Sequence, residues 1–190
     1  MRGARRRRFV LGVAACVEAL TAPRRLMAAA QDGRAQFISD HRCGIIVRLH
    51  MIHSQPGAPN RFLAIHPARD PGAYVQCLLS EEDTEILCEA ASGFYSVPDG
   101  ETPPPVPPER VAVMAAAGFS TDTSDGNFQK LMVVTDPARD FETVADLLLG
   151  ILHDAFGARP GALLRYDAPL APLESPGMAG ARAFRAGRSE

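Results

Sequence analysis

The sequence predicts an α+β fold, an antiparallel sheet of about four to five strands packed against two to three helices. Three observations carry that expectation. Short β-rich runs recur between Phe62 and Tyr166, separated by turn residues. Two of these runs fit one hairpin register in which like side chains oppose like. One stretch, Phe141 to Phe156, keeps an apolar stripe at helical spacing along its whole length.

The elements follow in order from Arg61. Phe62 to His66 reads as a strand, closed by the turn Pro67-Ala68-Arg69-Asp70-Pro71-Gly72. Ala73 to Leu79 and Ile86 to Ala91 flank a polar run, Ser80 to Glu85. Centring the turn between Glu82 and Asp83 sets Val75 against Ala90, Cys77 against Cys88 and Leu79 against Ile86. All six are apolar or nearly so, while the opposite face sets Gln76 against Glu89. The proline-rich stretch 103–108 is stiff and extended, because proline fixes φ and lacks an N–H. Its PxxP spacing has no arginine on the N-terminal side, so it reads as a spacer. Pro108 opens a helix through Ala117, with Val111, Met114, Ala115 and Gly118 at helical spacing and Gly118 at its end. Phe128 to Val134 is a fourth strand. Asp136 or Asp140 caps the next helix, from about Phe141 to Phe156. Phe141, Val144, Ala145, Leu148, Ile151, Leu152 and Ala155 share one face of it, and Glu142, Asp146 and His153 lie opposite. Gly157 ends that helix, and Leu163 to Tyr166 is a short last element.

These elements place one domain at 59–168, between an N-terminal extension, 1–58, and a tail, 169–190, expected to be disordered. The extension has no sustained period and is expected to add little to the core. Its basic run Arg5-Arg6-Arg7-Arg8 and the apolar Phe9-Val10-Leu11 resemble a twin-arginine export signal, with Leu26-Met27-Ala28-Ala29-Ala30 near a cleavage site. Two other readings stay open: a start at Met51, or a poorly ordered arm with a strand at Gly44 to Leu49. A cytoplasmic protein is expected, with export as the alternative.

Composition narrows the class. A chain of 190 residues, 46% hydrophobic and 22% charged, suits one globular domain with extras. The net charge of −2 hides an asymmetry: residues 1–50 carry ten arginines and three acids, and residues 51–190 carry ten basic and nineteen acidic groups. The acidic folded part argues against nucleic acid or an anionic membrane as partner. Cys16, Cys43, Cys77 and Cys88 show neither CxxC nor metal-ligand spacing. Cys77 and Cys88 read as small apolar core residues, with a redox pair as the alternative.

Three stretches carry a family resemblance. Tyr74-Val75-Gln76, followed by Glu89-Ala90-Ala91-Ser92, looks like a YVQF strand and its acidic partner strand. Met114 to Phe119, followed by Asn127-Phe128, looks like an L-x-x-LGW … NW segment with phenylalanine at both tryptophan positions. Val144-Ala145, Leu152 to Gly157 and Leu163 to Tyr166 look like the ending that follows it. In this order they resemble the TY-Chap family, grouped from YbjN-like proteins and the chaperones of type III secretion effectors. The resemblance implies a secretion-chaperone-like fold. The amphipathic helix that precedes the first strand in that family is not recognisable in residues 20–55.

Chemistry for an enzyme is not legible. His50-x-x-His53, with His41 and His66 nearby, falls in a stretch that reads extended and has no Glu or Cys at ligand spacing. Asp122, Asp125 and Gly126 lack the rest of a calcium loop. Phosphate-binding loops and nucleophile elbows are missing. No catalytic residue, cofactor or metal is expected. The expected function is therefore non-enzymatic binding of an extended polypeptide segment or effector-like protein. A homodimeric accessory protein is the alternative, and a small hydrolase a lesser one. Tyr74 and Leu78, on the face away from Cys77, are candidate contacts, with Phe94 and Tyr95 as a rim.

Overall fold

The structure, a computed structural model, describes residues 14–98, 101–124 and 126–173, with side chains described from residue 32 onward. Three helices and five strands are built in the order α1 (Ala14–His53), β1 (Phe62–Pro67), β2 (Val75–Leu79), β3 (Glu85–Ala90), α2 (Pro108–Ala116), β4 (Phe128–Val133), α3 (Pro137–Asp154) and β5 (Leu164–Asp167). The strands form one antiparallel sheet in the order β4-β3-β2-β1-β5. The expected α+β class is the observed one.

The central hairpin has the expected register: Val75 faces Ala90, Cys77 faces Cys88 and Leu79 faces Ile86. Its turn is held by Asp83, at φ +60°, whose carboxylate accepts from the buried Arg61 guanidinium. Alternation then puts Leu63, Ile65, Val75, Cys77, Ile86, Cys88, Ala90, Phe128 and Leu164 on one buried face. Helix α3 covers it with Phe141, Val144, Ala145, Leu148, Leu149, Ile151 and Leu152. The helix starts at Pro137, earlier than its apolar stripe, because Asp136 caps it by accepting from the Ala138 N–H and proline suits the first turn. Helix α2 adds the buried Met114 and stops at Gly118, φ +79°.

The N-terminal part differs from expectation. The segment Gly44 to Leu49 is helix, not strand, and lies inside α1. Residues before Gln55 do not stand apart from the core: Phe37, Ile45, Leu49 and Ile52 are all fully buried. They occupy the 37, 41, 45, 48/49, 52 positions of one helical face, but His41 and Arg48 fill the two remaining places. Those polar residues hide the stripe from a hydropathy reading. His41 lies edge-on to Phe37, and burial holds its imidazole pKa below the ordinary value against the opposing pull of Asp40. Arg48 is 3% exposed, stacks 4.0 Å from the Tyr166 ring centroid, and donates to the Gly44 and Leu173 carbonyls. Gln55 donates to the Leu170 carbonyl. These bonds strap 168–173 onto α1 with Ala168 and Ala171 buried, so the stretch after Pro169 is packed as far as Leu173. Residues 174–190 and the basic run at Arg5 lie outside the described residues.

Ion pairs join α1 to α3. Arg42 meets Asp146 at 2.7 Å and Glu142 at 3.1 Å, and Arg34 meets Asp154 at 2.9 Å. The polar side of α3 is thus a seam against another helix. Gly150 belongs to it: a Cβ there would stand 2.7 Å from the Arg34 guanidinium, which crosses the α3 backbone at that point.

A fragment beginning at Gln55 should give no cooperative melt by circular dichroism. It loses four fully buried side chains, each contributing roughly 1.5–3 kcal/mol, against a typical domain stability of about 5–15 kcal/mol. Leu148→Asp should unfold the full chain by burying an unpaired charge, whereas Asp146→Ala, at a partly exposed ion pair, should cost about 1 kcal/mol or less in the same melts.

Candidate functional site

Both long helices pack on one face of the sheet, and among the described residues no helix lies over the other. The outer face therefore shows what the alternate strand positions carry. Register aligns Phe62 with Leu78, Leu78 with Leu87, and Leu87 with Leu131, so one apolar row crosses β1, β2, β3 and β4. Val133, opposite Glu85, extends the row at the β4 end. Leu78 is 39% exposed, Leu131 58% and Val133 64%. The next row is polar: Ala64, Gln76, Glu89 and Gln129. Glu89 accepts from both Gln76 and Gln129, which ties three strands together beside the apolar row.

The β4 edge continues this surface. Val134 N–H donates to Thr84 at 2.7 Å, so alternation turns the backbone groups of Met132 and Lys130 toward β3. Those of Gln129, Leu131 and Val133 then face outward. Gln129 C=O accepts from the Ser120 N–H in an isolated bridge. Leu131 and Val133 have no backbone partner on that side among the described residues. Natural edge strands are blunted by charged side chains, by proline, or by a charged residue that points inward. Here Lys130, the one lysine of the chain, points inward and caps α2 by donating to the Ala117 carbonyl at 2.6 Å. Beyond the bridge at Gln129, the outward side chains of this edge, Leu131 and Val133, are apolar and exposed.

The four residues expected to form the site separate into two places. Leu78 sits mid-row on the outer face. Tyr74 and Tyr95 line a small pocket of about 200 Å³ with Pro71, Ala91, Gly93 and Asn127, beside the start of β4. Tyr95, 66% exposed, stands on the 3-10 turn Phe94–Ser96, and Phe94 packs edge-on against it at 5.1 Å. Tyr74 has a structural bond as well: its hydroxyl accepts from the Asn127 Nδ2 at 2.8 Å. Asn127, 3% exposed, in turn accepts from the Ser92 N–H. The sequence reading missed Phe62, Leu87, Leu131 and Val133. The available signal was Leu131-Met132-Val133-Val134, a run too apolar for a strand with one wet face.

This surface offers apolar contact and backbone hydrogen bonds. Among the described residues, no three His, Cys, Asp or Glu side chains converge as a metal site. His50 and His53 are on the last turn of α1, not on an extended segment, and both rings stand edge-on to Phe141 at 4.8 and 5.4 Å. The two larger grooves lie elsewhere. One, of about 490 Å³, is lined by Arg69, Arg159 and the turn 160–163; the other, of about 500 Å³, by Arg34, Val113, Leu147 and Asp154. No helix among the described residues is long and apolar enough to cross a membrane.

Tyr74→Phe should cost about 1–2 kcal/mol in a denaturant melt by leaving the buried Asn127 amide without its acceptor. Tyr95→Ser, at an exposed position, should change stability by no more than about 0.5 kcal/mol.

Comparison with protein-family models matches residues 48–170 to "T3SS (YopN, CesT) and YbjN peptide-binding chaperone 3", TY-Chap3. No curated protein and no solved structure matches the chain. The match spans β1 to β5, both later helices and the last turns of α1, which are the elements that carry the outer apolar row and the β4 edge. With that span covering most of the chain, the protein belongs to the TY-Chap3 family of peptide-binding chaperones.

Proposed function

We propose that the protein binds extended, apolar and basic segments of effector-like polypeptides on its outer sheet face, in the cytoplasm, and catalyses no reaction. The observation that carries this reading is the row Phe62, Leu78, Leu87, Leu131 ending at the β4 edge, where the outward backbone groups of Leu131 and Val133 have no partner among the described residues. An extended segment laid along β4 would take the outward backbone groups of Leu131 and Val133 as ladder partners. Its alternate side chains would rest on the apolar row, each buried leucine or valine contributing roughly 1.5–3 kcal/mol. Glu85 and Glu89 border the row, and the folded part of the chain is acidic, so basic segments are attracted faster than acidic ones. Tyr74, Phe94 and Tyr95 would form a rim at the near end of β4.

A second copy could occupy the same edge through β4 pairing, which is the homodimeric reading. The two separate by measurement. Fluorescent decapeptides alternating apolar and arginine residues, and matched peptides with glutamate, are titrated by anisotropy alongside sedimentation of the free protein. The basic set should bind to a monomer, and Leu131→Asp with Val133→Asp should weaken it by about 10-fold or more while the melting temperature holds. Unchanged affinity in that double variant removes the outer face as the site. A dimer that the double variant dissociates, with no peptide bound, supports the second reading instead.

A further inference from the structure

We propose that Cys77 and Cys88 are a disulfide-forming modification site, an internal dithiol that a small disulfide such as oxidised glutathione converts to a cross-strand bond. This stands on the hairpin geometry and is independent of what the outer face binds. The two residues are direct partners on β2 and β3. Ala91 N–H donates to the Tyr74 carbonyl and Ser80 N–H to the Glu85 carbonyl. Alternation between those bonds makes Cys77 and Cys88 a non-hydrogen-bonded pair. Such pairs bring side chains closest, with Cα atoms about 4.5 Å apart, inside the roughly 4.4–6.8 Å that a disulfide spans. Their sulfurs already stand 3.0 Å apart, and Met132 Sδ, 4.0 Å from Cys88 Sγ, is the next sulfur. Closing the bond needs no change of face, register or partner.

The pair is also protected, which shapes its chemistry. Both thiols are free and fully buried. Burial, together with the neighbouring Cys88 thiol, pushes the Cys77 pKa well above its ordinary value. The thiolate is the attacking species, so exchange requires the hairpin to open and proceeds slowly. In the opened hairpin one cysteine thiolate attacks a glutathione disulfide sulfur and expels one glutathione thiolate. The second cysteine thiolate then attacks the protein sulfur of that mixed disulfide and expels the other. The two cysteine protons end on the two glutathione thiols, and the protein loses two hydrogens. On closing, the new bond fixes the pair of strands that present Leu78 and Leu87.

The test uses the full chain with Cys16→Ser and Cys43→Ser, incubated in stepped ratios of reduced to oxidised glutathione, with and without denaturing urea. Intact mass and a non-reducing peptide map are read at each step. The expected result under native conditions is a loss of about 2 Da with Cys77 and Cys88 in one linked peptide. It should raise the melting temperature by about 5–10 °C, the effect of closing a short loop in a chain of this size, and dithiothreitol should reverse it. The added variant Cys77→Ala should show no 2 Da loss. A bond that forms in urea but never under native conditions overturns the proposal, as does a mixed disulfide that stops at one glutathione adduct. A native disulfide that lowers the melting temperature overturns it too, because the folded geometry then opposes the bond.

Discussion

Everything in this fold depends on covering one face of a five-stranded antiparallel sheet with two helices that lie far apart in the sequence. Helix α3 alone leaves the sheet's inner face incompletely covered. Its partner α1 supplies Phe37, Ile45, Leu49 and Ile52, and the Arg42 and Arg34 ion pairs join it to α3. The same packing explains a buried arginine. Arg48 lies where a leucine would serve the stripe, and its charge is met by carbonyls and an aromatic face. Removing that guanidinium would take away the strap that holds 168–173 against α1, so the cation has a structural place beyond hydrophobic cover.

Placing both helices on one side has an opposite consequence on the other. The outer face receives no described cover, yet it keeps a crossing apolar row. A monomeric protein gains nothing in stability from Leu131 and Val133 in water, and such an edge is prone to unwanted pairing. Lys130 points inward, a placement that itself guards edge strands against pairing, and it caps α2. A surface that takes up other chains would carry an exposed apolar row of this kind, and the family to which the protein belongs is one of peptide-binding chaperones.

How much was legible in the sequence varied with the physics of each element. The β2–β3 hairpin was legible because strict alternation makes a one-residue slip visible in every pair, and Cys77 against Cys88 fell where alternation put it. Helix α3 was legible because its stripe is unbroken. Helix α1 was not, because His41 and Arg48 interrupt its stripe: His41 rests on Phe37 one turn earlier, and Arg48 is accommodated by Tyr166, a partner that no local window contains. The outer row was half legible. Leu78 could be assigned to the outer face from its own hairpin, but Leu131 required knowing that β4 pairs with β3 and that its lysine faces inward. Alternation along β2 places Tyr74 on the face away from Cys77, while its bond to Asn127 belongs to a pairing across 53 positions of chain.

The strand order carries a kinetic meaning. Strand β1 is hydrogen-bonded to β2 on one side and to β5, the last strand, on the other. Helix α1 likewise waits for α3. Only the β1–β2–β3 meander can assemble from neighbouring sequence; β4 must return across the connector containing α2, and its proline-rich stretch limits how widely that connector wanders. Such a high contact order favours folding on the millisecond-to-second scale rather than in microseconds. On the ribosome, the emerging chain would hold the meander with both of its edges and its inner face exposed until Asp167 had cleared the exit. During that interval the nascent protein exposes the unpaired edges and apolar surface that favour aggregation.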